Sequence, residues 1–290
     1  MSKTLKYLLT ITGLSITRQA ITGGAILLMS ASPAFAAWDL NLRQGVTSVS
    51  REAYDIHMKI FYLCCAIATV VFGAMIYSII NFRKSVGAKP DTNMTHSTTA
   101  EIVWTVIPIV ILVAMAIPAA RALIKIEDTR NSQLTIKVTG YQWKWQYDYQ
   151  GEGVSFFSTL SRDSNAARQL GSGLDPYSVP NYLLSVDHPL VVPVNTKVRV
   201  LLTAADVIHA WWMPDFGVKK DAVPGFINEI WFNADKIGTY RGQCAELCGR
   251  DHGFMPIVVE VKSKGDYQAW LKNAKRAGEP GSANPAPAAP

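Results

Sequence analysis

The sequence predicts a mixed membrane protein, with an N-terminal hairpin of two transmembrane helices followed by an all-β domain. Three observations carry that reading. Two long runs, Ile60–Ile80 and Ile102–Ala120, hold no charged residue. From Leu134 onward, apolar and polar residues alternate with the period of two that a half-buried strand requires. The strand-like segments are short, with no long helical pattern between them, which favours an antiparallel sandwich or barrel.

Composition agrees and narrows the function. Of the 290 residues, 49% are apolar, and the mean hydropathy is positive. The formal charge of +6 overstates any basic character. Lys3, Lys6 and Arg18 lie in a removable-looking leader, and from Ile126 onward 17 basic residues face 17 acidic ones. A neutral domain gives no reason to expect a nucleic-acid partner.

Residues 1–36 read as a secretory signal, with Lys3 and Lys6 before apolar runs and a small-x-small cleavage site at Ser32-Pro33-Ala34-Phe35-Ala36-Ala37. Residues 37–125 hold the hairpin. The first run has 21 residues, roughly 31 Å as a helix, enough to cross a bilayer core. The second has 19, with Pro108 and Pro118 inside, and proline is tolerated in a membrane helix because neighbours satisfy the freed carbonyls. Cys64 and Cys65 read as small apolar residues facing lipid or a neighbouring helix. Lysine and arginine counts on the two sides tie, so the leader sets the orientation: its cleavage leaves the new N-terminus outside, and two spans return the C-terminal domain outside. In a bacterial cell that means the inner membrane, with the domain in the periplasm.

Residues 126–277 form the β domain. Leu134, Ile136 and Val138 begin the first strand, and further strands are expected near Val154–Ser158, Leu190–Val194, Val198–Thr203, Ile227–Asn233 and Ile257–Lys262. Asn195 and Gly225 supply turns. Arg162–Pro180, with its glycine, serine and proline, reads as one long loop. Asp266–Arg276 reads as a terminal helix docked by Trp270, and residues 278–290, rich in alanine and proline, as a disordered tail.

One loop concentrates the chemistry. Gly242-Gln243-Cys244-Ala245-Glu246-Leu247-Cys248-Gly249-Arg250-Asp251-His252-Gly253-Phe254-Met255-Pro256 places two thiols, an imidazole and a thioether three or four positions apart, and His209 lies 35 residues before Cys244. A disulfide would leave His252 and Met255 unexplained. A zinc site of two Cys and two His is the stronger rival, but a methionine in a soft donor set favours copper. A mononuclear blue-copper site uses one thiolate, and two could bridge a pair of coppers.

These residues resemble cytochrome c oxidase subunit II. The resemblance runs from the first span to about Lys262. It rests on the loop, on Ala100-Glu101-Ile102-Val103-Trp104-Thr105-Val106-Ile107-Pro108, on Gly140-Tyr141-Gln142-Trp143-Lys144-Trp145-Gln146-Tyr147-Asp148-Tyr149, on Asp206 with His209, and on Lys219-Lys220-Asp221-Ala222-Val223-Pro224-Gly225. It implies a cupredoxin-like Greek-key barrel carrying the dinuclear copper A centre. Cys244 and Cys248 would bridge two coppers, His209 and His252 would each bind one, Met255 would be a weak ligand, and the Glu246 carbonyl would complete the set. The Glu246 side chain would bind a magnesium ion shared with subunit I. Trp143 would receive electrons from cytochrome c, and Asp148, Asp206 and Asp221, with Asp215, would meet its lysines. Glu101 would stand at the entrance of a proton path. Trp211 and Trp212 read as packing that keeps water from the metal.

The function so implied is transfer of electrons from cytochrome c to haem in subunit I, where oxygen is reduced and protons are pumped. Haem belongs to the partner subunit, since this chain has no C-x-x-C-H motif or oxygen site of its own. Two other readings remain beside it. A copper-free quinol oxidase subunit II shares the architecture but lacks these ligands. A periplasmic copper carrier would need neither Trp143, Glu101 nor the two-span anchor.

Overall fold

The computed structural model describes residues 41–89 and 95–278. The leader expected over 1–36, and all but the first residue of the tail expected over 278–290, lie outside the described residues.

Helix α1 spans Ser48–Asn81 and helix α2 Thr98–Ile126. Both apolar runs are helical, and their central windows bury nothing against the rest of the chain. That leaves the apolar flanks for lipid or another subunit. The start of α1 lies twelve residues before the run that predicts it, because Thr47 caps it: its hydroxyl accepts from the Ser50 amide (2.9 Å) while Ser50 Oγ accepts from the Thr47 amide (3.1 Å). Ser97 caps α2, and Pro108 and Pro118 lie inside it.

Ten strands follow: β1 Leu134–Tyr141, β2 Lys144–Tyr149, β3 Val154–Ser158, β4 Leu190–Pro193, β5 Val198–Ala204, β6 His209–Met213, β7 Val218–Ala222, β8 Asn228–Phe232, β9 Gly238–Cys244 and β10 Pro256–Lys262. They form two five-stranded sheets, ordered β3-β2-β1-β5-β8 and β4-β10-β9-β6-β7. Alternation is strict in β1, β2 and β5, where every second side chain is buried. Ile136, Val138, Tyr147, Val200, Leu202, Phe232, Ile257 and Val259 fill the core between the sheets. Each such aliphatic side chain contributes roughly 1.5–3 kcal/mol by leaving water.

Two features differ from the sequence reading. β1 pairs with β5, and β4 with β10, in parallel rather than antiparallel. After the β1-β2-β3 meander the chain crosses to the other sheet as β4 and returns beside β1. Period-two alternation reports which face is buried, not which way the neighbour runs. The expected loop Arg162–Pro180 also contains a short helix, α3, Arg162–Ala167, and a 3-10 turn at Pro176–Ser178. The terminal helix α4, Lys264–Gly278, is docked by Trp270, whose ring lies 5.2 Å from Tyr149 and 5.9 Å from Tyr267.

The hairpin is tied directly into the sheets. Val46 donates to the Asp215 carbonyl (2.8 Å) and accepts from the Asp235 amide (3.0 Å), and Thr47 Oγ1 donates to the Phe216 carbonyl (2.8 Å). At the other helix end, Trp231 Nε1 donates to the Lys125 carbonyl (3.2 Å).

Candidate metal centre

Strand pairing assembles the centre. β6 begins at His209, β9 ends at Cys244, and the two strands pair through Trp211 and Cys244. The Ala245 amide then bonds the Ala210 carbonyl (3.0 Å), which turns the loop back over His209. The ligand atoms of His209, Cys244 and Cys248 all lie within 4.8 Å of one another. Cys244 Sγ is 3.9 Å from His209 Nδ1, and Cys248 Sγ is 3.4 Å from His252 Nδ1 and 3.5 Å from Met255 Sδ. Cys244 Sγ also points at the Glu246 carbonyl (3.4 Å), while the Glu246 side chain is exposed. His209, Cys248 and Met255 are almost wholly buried.

The two cysteines are free thiols 3.9 Å apart, where a disulfide needs about 2.05 Å. A metal–thiolate bond is about 2.3 Å, so ions touching both sulfurs can span up to about 4.6 Å. The donor set therefore fits metal bridged by both thiolates. Burial works against the Cys244 thiolate, but His209, the neighbouring main chain and Cys248 outweigh it and lower its pKa. Burial and then the Cys244 charge push Cys248 up to about 12. Two adjacent thiolates resist forming together, and a bound cation removes that resistance.

A surrounding layer fixes the histidine. Asp206 Oδ1 lies 3.0 Å from His209 Nε2, and the same carboxylate accepts from the amides of Gln142 and Val207 (2.7 Å each). Burial opposes the charged imidazole, but Cys244 and Asp206 prevail and raise its pKa. That contact leaves Nδ1 for the metal. The Trp145 ring meets His209 edge-on at 5.8 Å, and its Nε1 donates to the Met255 carbonyl (3.3 Å). Gly140 lies against the imidazole: a Cβ there would sit 2.8 Å from His209 Cδ2. The parts that Gly140, Trp145 and the Asp206 carboxylate play in holding His209 were not read from the sequence, which showed them only within the motifs of the resemblance. The glycine inside an alternating strand was the available signal, because it marks a close approach.

Trp143 occupies the turn between β1 and β2. Its Nε1 donates to the Cys248 carbonyl (3.2 Å), beside a second bond from Gln142 Nε2 (2.9 Å). Gly249, at φ +114°, leaves room for the indole, since a Cβ would lie 3.2 Å from its ring. Of the four expected docking acids, Asp206 is bonded beside Trp143, accepting from the Gln142 amide, while Asp215 lies in the 3-10 turn Pro214–Phe216, paired with Arg43. Asp148 lies five residues along β2, about 17 Å away at strand spacing. Asp221 is exposed on β7, at the edge of its sheet, and Asp206 is engaged by His209. Glu101 sits in the first turn of α2, at the opposite end of the helix from the β domain.

Comparisons decide the family. Residues 134–262 match the periplasmic domain of cytochrome C oxidase subunit II, and residues 35–121 match its transmembrane domain. A probable cytochrome c oxidase subunit 2 of Rickettsia prowazekii is 42% identical over 81% of this chain and 72% of its own length. The chain belongs to the cytochrome c oxidase subunit II family. Cytochrome c oxidase subunit 2 of Cereibacter sphaeroides is 40% identical, over 79% of this chain and 78% of that one. The crystal structure of the periplasmic domain of subunit II of cytochrome oxidase from Bradyrhizobium japonicum is 44% identical, covering 52% of this chain and 99% of that one at a TM-score of 0.45. As a subunit II, the chain is part of a haem-copper oxidase, an oxidoreductase complex, and the family implies copper A. The copper-free and carrier readings are not favoured, because donor set and hairpin occur together in one chain.

Proposed function

We propose that Cys244 and Cys248 bridge two copper ions, that His209 and His252 each bind one of them, and that Met255 and the Glu246 carbonyl complete the set. The observation that carries this reading is the matching of thiols to imidazoles: each sulfur has its own histidine, and the sulfurs face each other at 3.9 Å. Copper held by these donors would supply one-electron redox chemistry, the thiolates favouring its reduced state and the imidazoles serving the oxidised one. The protein supplies the rigidity. Two sheets fix β6 and β9, Asp206 orients His209, and buried Trp211 and Trp145 keep water away.

Cytochrome c delivers the electron at Trp143, and the indole-to-Cys248 hydrogen bond supports that route. The electron leaves for haem in subunit I. The exposed Glu246 side chain holds magnesium at that boundary, and Glu101 receives protons at the inner face. The chain is anchored in the bacterial inner membrane with its copper domain in the periplasm. Metal analysis and paramagnetic resonance on the purified complex test the copper reading. Two coppers per chain, with one unpaired electron spread over both nuclei, is the expected result; a single copper, or preferred zinc, refutes it.

A further inference from the structure

Three aromatic side chains of β2, Trp145, Tyr147 and Tyr149, point into the core and are wholly buried. Two of them tie their polar ends across to the other sheet. Trp145 Nε1 donates to the carbonyl of Met255, the residue that leads into β10 (3.3 Å). Tyr149 Oη donates to the Val191 carbonyl of β4 (2.7 Å) and accepts from the amide of the same residue (3.0 Å). Tyr147, between them, differs: its hydroxyl is shut off from water and has no hydrogen-bond partner. The same holds for a polar atom on the facing sheet, Trp211 Nε1 of β6.

These two groups lie together. The inward face of β6 carries His209, Trp211 and Met213, all fully buried. Trp145 meets His209 edge-on at 5.8 Å, and a step of two residues along both strands brings Tyr147 to Trp211. Burial raises the pKa of the Tyr147 hydroxyl, and the Trp211 indole is the influence that opposes it, which is what a donor beside a phenol oxygen does. Phe232, stacked on Trp211 at 6.1 Å and 17°, holds the indole plane from its other side. An indole N–H can only donate, a phenol oxygen can accept, and a buried polar group left unpaired is costly.

Resting on the reading of the centre as a copper site, we propose that the Tyr147 hydroxyl accepts a hydrogen bond from Trp211 Nε1, and that this strut positions the copper ligands. Trp211 pairs with Cys244 across β6 and β9 and stands two residues from His209, so both donors feel a shift of its indole. The strut joins β2 to β6, which belong to different sheets. Apolar contacts between sheets are non-directional and resist sliding poorly, whereas an N–H···O contact holds one distance and angle. His209 and Cys244 belong to one sheet, while Gly140 and Trp145, which pack against the imidazole, belong to the other. Tyr147 is thus a positioning residue that acts on the ligands through Trp211.

The test uses the purified oxidase complex carrying Tyr147→Phe, Trp211→Phe or both. Copper retention against a chelator reports affinity, while redox titration and paramagnetic resonance report the potential and the hyperfine pattern of the centre. Tyr147→Phe is expected to weaken copper binding about tenfold and to shift the potential. In the Trp211→Phe background the same change should do neither, because its partner is already gone. Equal effects of Tyr147→Phe in the two backgrounds overturn the proposal. So does a Tyr147→Phe complex with wild-type affinity, potential and hyperfine pattern, even one that unfolds at lower denaturant, since the hydroxyl would then serve the fold alone. Should Trp211→Phe fail to assemble, the ultraviolet Raman difference between Tyr147→Phe and wild type decides: one indole should lose its N–H hydrogen bond, and no such change overturns the proposal. If the wild-type complex holds no copper at this centre, the copper reading falls, and the proposal with it.

Discussion

Replacing Gly140 by alanine tests whether the strand that underlies His209 sets the copper affinity. Gly140 is locked on both sides, paired with Trp145 of β2 and Ala204 of β5, so its backbone cannot retreat. The added methyl would lie 2.8, 3.0 and 3.2 Å from Cδ2, Cγ and Cβ of His209. Carbon atoms pack best at about 3.5–4.0 Å, so the ring must withdraw by several tenths of an ångström. Metal–ligand distances tolerate only about 0.2 Å. The ring also has nowhere easy to go, because Asp206 holds Nε2 at 3.0 Å and Trp145 stands edge-on to it. Overpacking of this kind costs about 1–3 kcal/mol, or roughly 5- to 160-fold in copper affinity if the strain falls on the ligand. Copper competition against a chelator measures that loss, and thermal unfolding without metal measures the strain left in the fold. Gly253→Ala, in the metal loop, is the control, since nothing lies within 4 Å of its added Cβ. A Gly140→Ala protein that matches the wild type in both measurements would refute the reasoning.

Asp206→Ala strips His209 Nε2 and two backbone amides of their acceptor, and copper affinity should fall about 10- to 100-fold; unchanged chelator competition would show that the contact does not orient the ligand. Trp143→Phe removes the hydrogen bond to Cys248 but keeps a ring in the turn, so cytochrome oxidation should slow while the copper spectrum stays nearly unchanged. A bleached spectrum would make Trp143 structural. Arg199 holds the Glu229 carboxyl below its ordinary value of 4.5 against the upward push of burial, and Thr129 adds a smaller downward pull. A depressed carboxylate pKa stabilises the fold above 4.5, and that contribution is lost as pH falls through the folded-state value. Denaturant midpoints of the wild type should therefore drop below pH 4.5 more steeply than those of Glu229→Gln, and parallel curves would exclude the pair as a source of acid sensitivity.

What the sequence could disclose follows from how far apart the partners lie. Charge-free runs mark a membrane hairpin by themselves, and four of the proposed copper-ligating positions sit in one loop where spacing is visible. Asn195 and Gly225 were readable as turns because their residue types suit the positive φ they adopt (53° and 75°). The beginning of α1 was hidden because its first two turns are polar, and its cap closes over a separate segment of the fold through Thr47 and Phe216, 169 residues apart. Apart from Asp206 with His209, three positions apart, the contacts around the centre join residues 64 to 110 positions apart, as in Gln142 with Asp206 and Trp145 with Met255. No periodicity reports such pairs. Trp143 shows the same limit in a different form. A role for it was implied by resemblance, while its place in a turn, bonded to the metal loop, depended on where β1 ends.

The junction between hairpin and sheets bears on function as directly as the ligands do. Seven residues link Ile126 of α2 to Leu134 of β1. As a free coil they would let the domain wander by about 15 Å, and a copper site that drifts so far cannot hold a fixed distance to an acceptor in the membrane. The link is not free. Lys197 Nζ donates to the carbonyls of Asp128 and Arg130 (2.7 Å each), Ser132 bonds back to Thr129, and Trp231 caps the last turn of α2 at Lys125. The start of α1 is held independently by Val46 and Thr47. Each bond contributes only about 0.5–1.5 kcal/mol, so any one can be removed without unfolding the domain. Trp231→Phe should therefore keep the full copper content and spectrum yet slow electron transfer onward to the haem after a fast reduction pulse. Equal transfer rates in variant and wild type would show that the partner subunit, rather than this junction, fixes the position of the copper site.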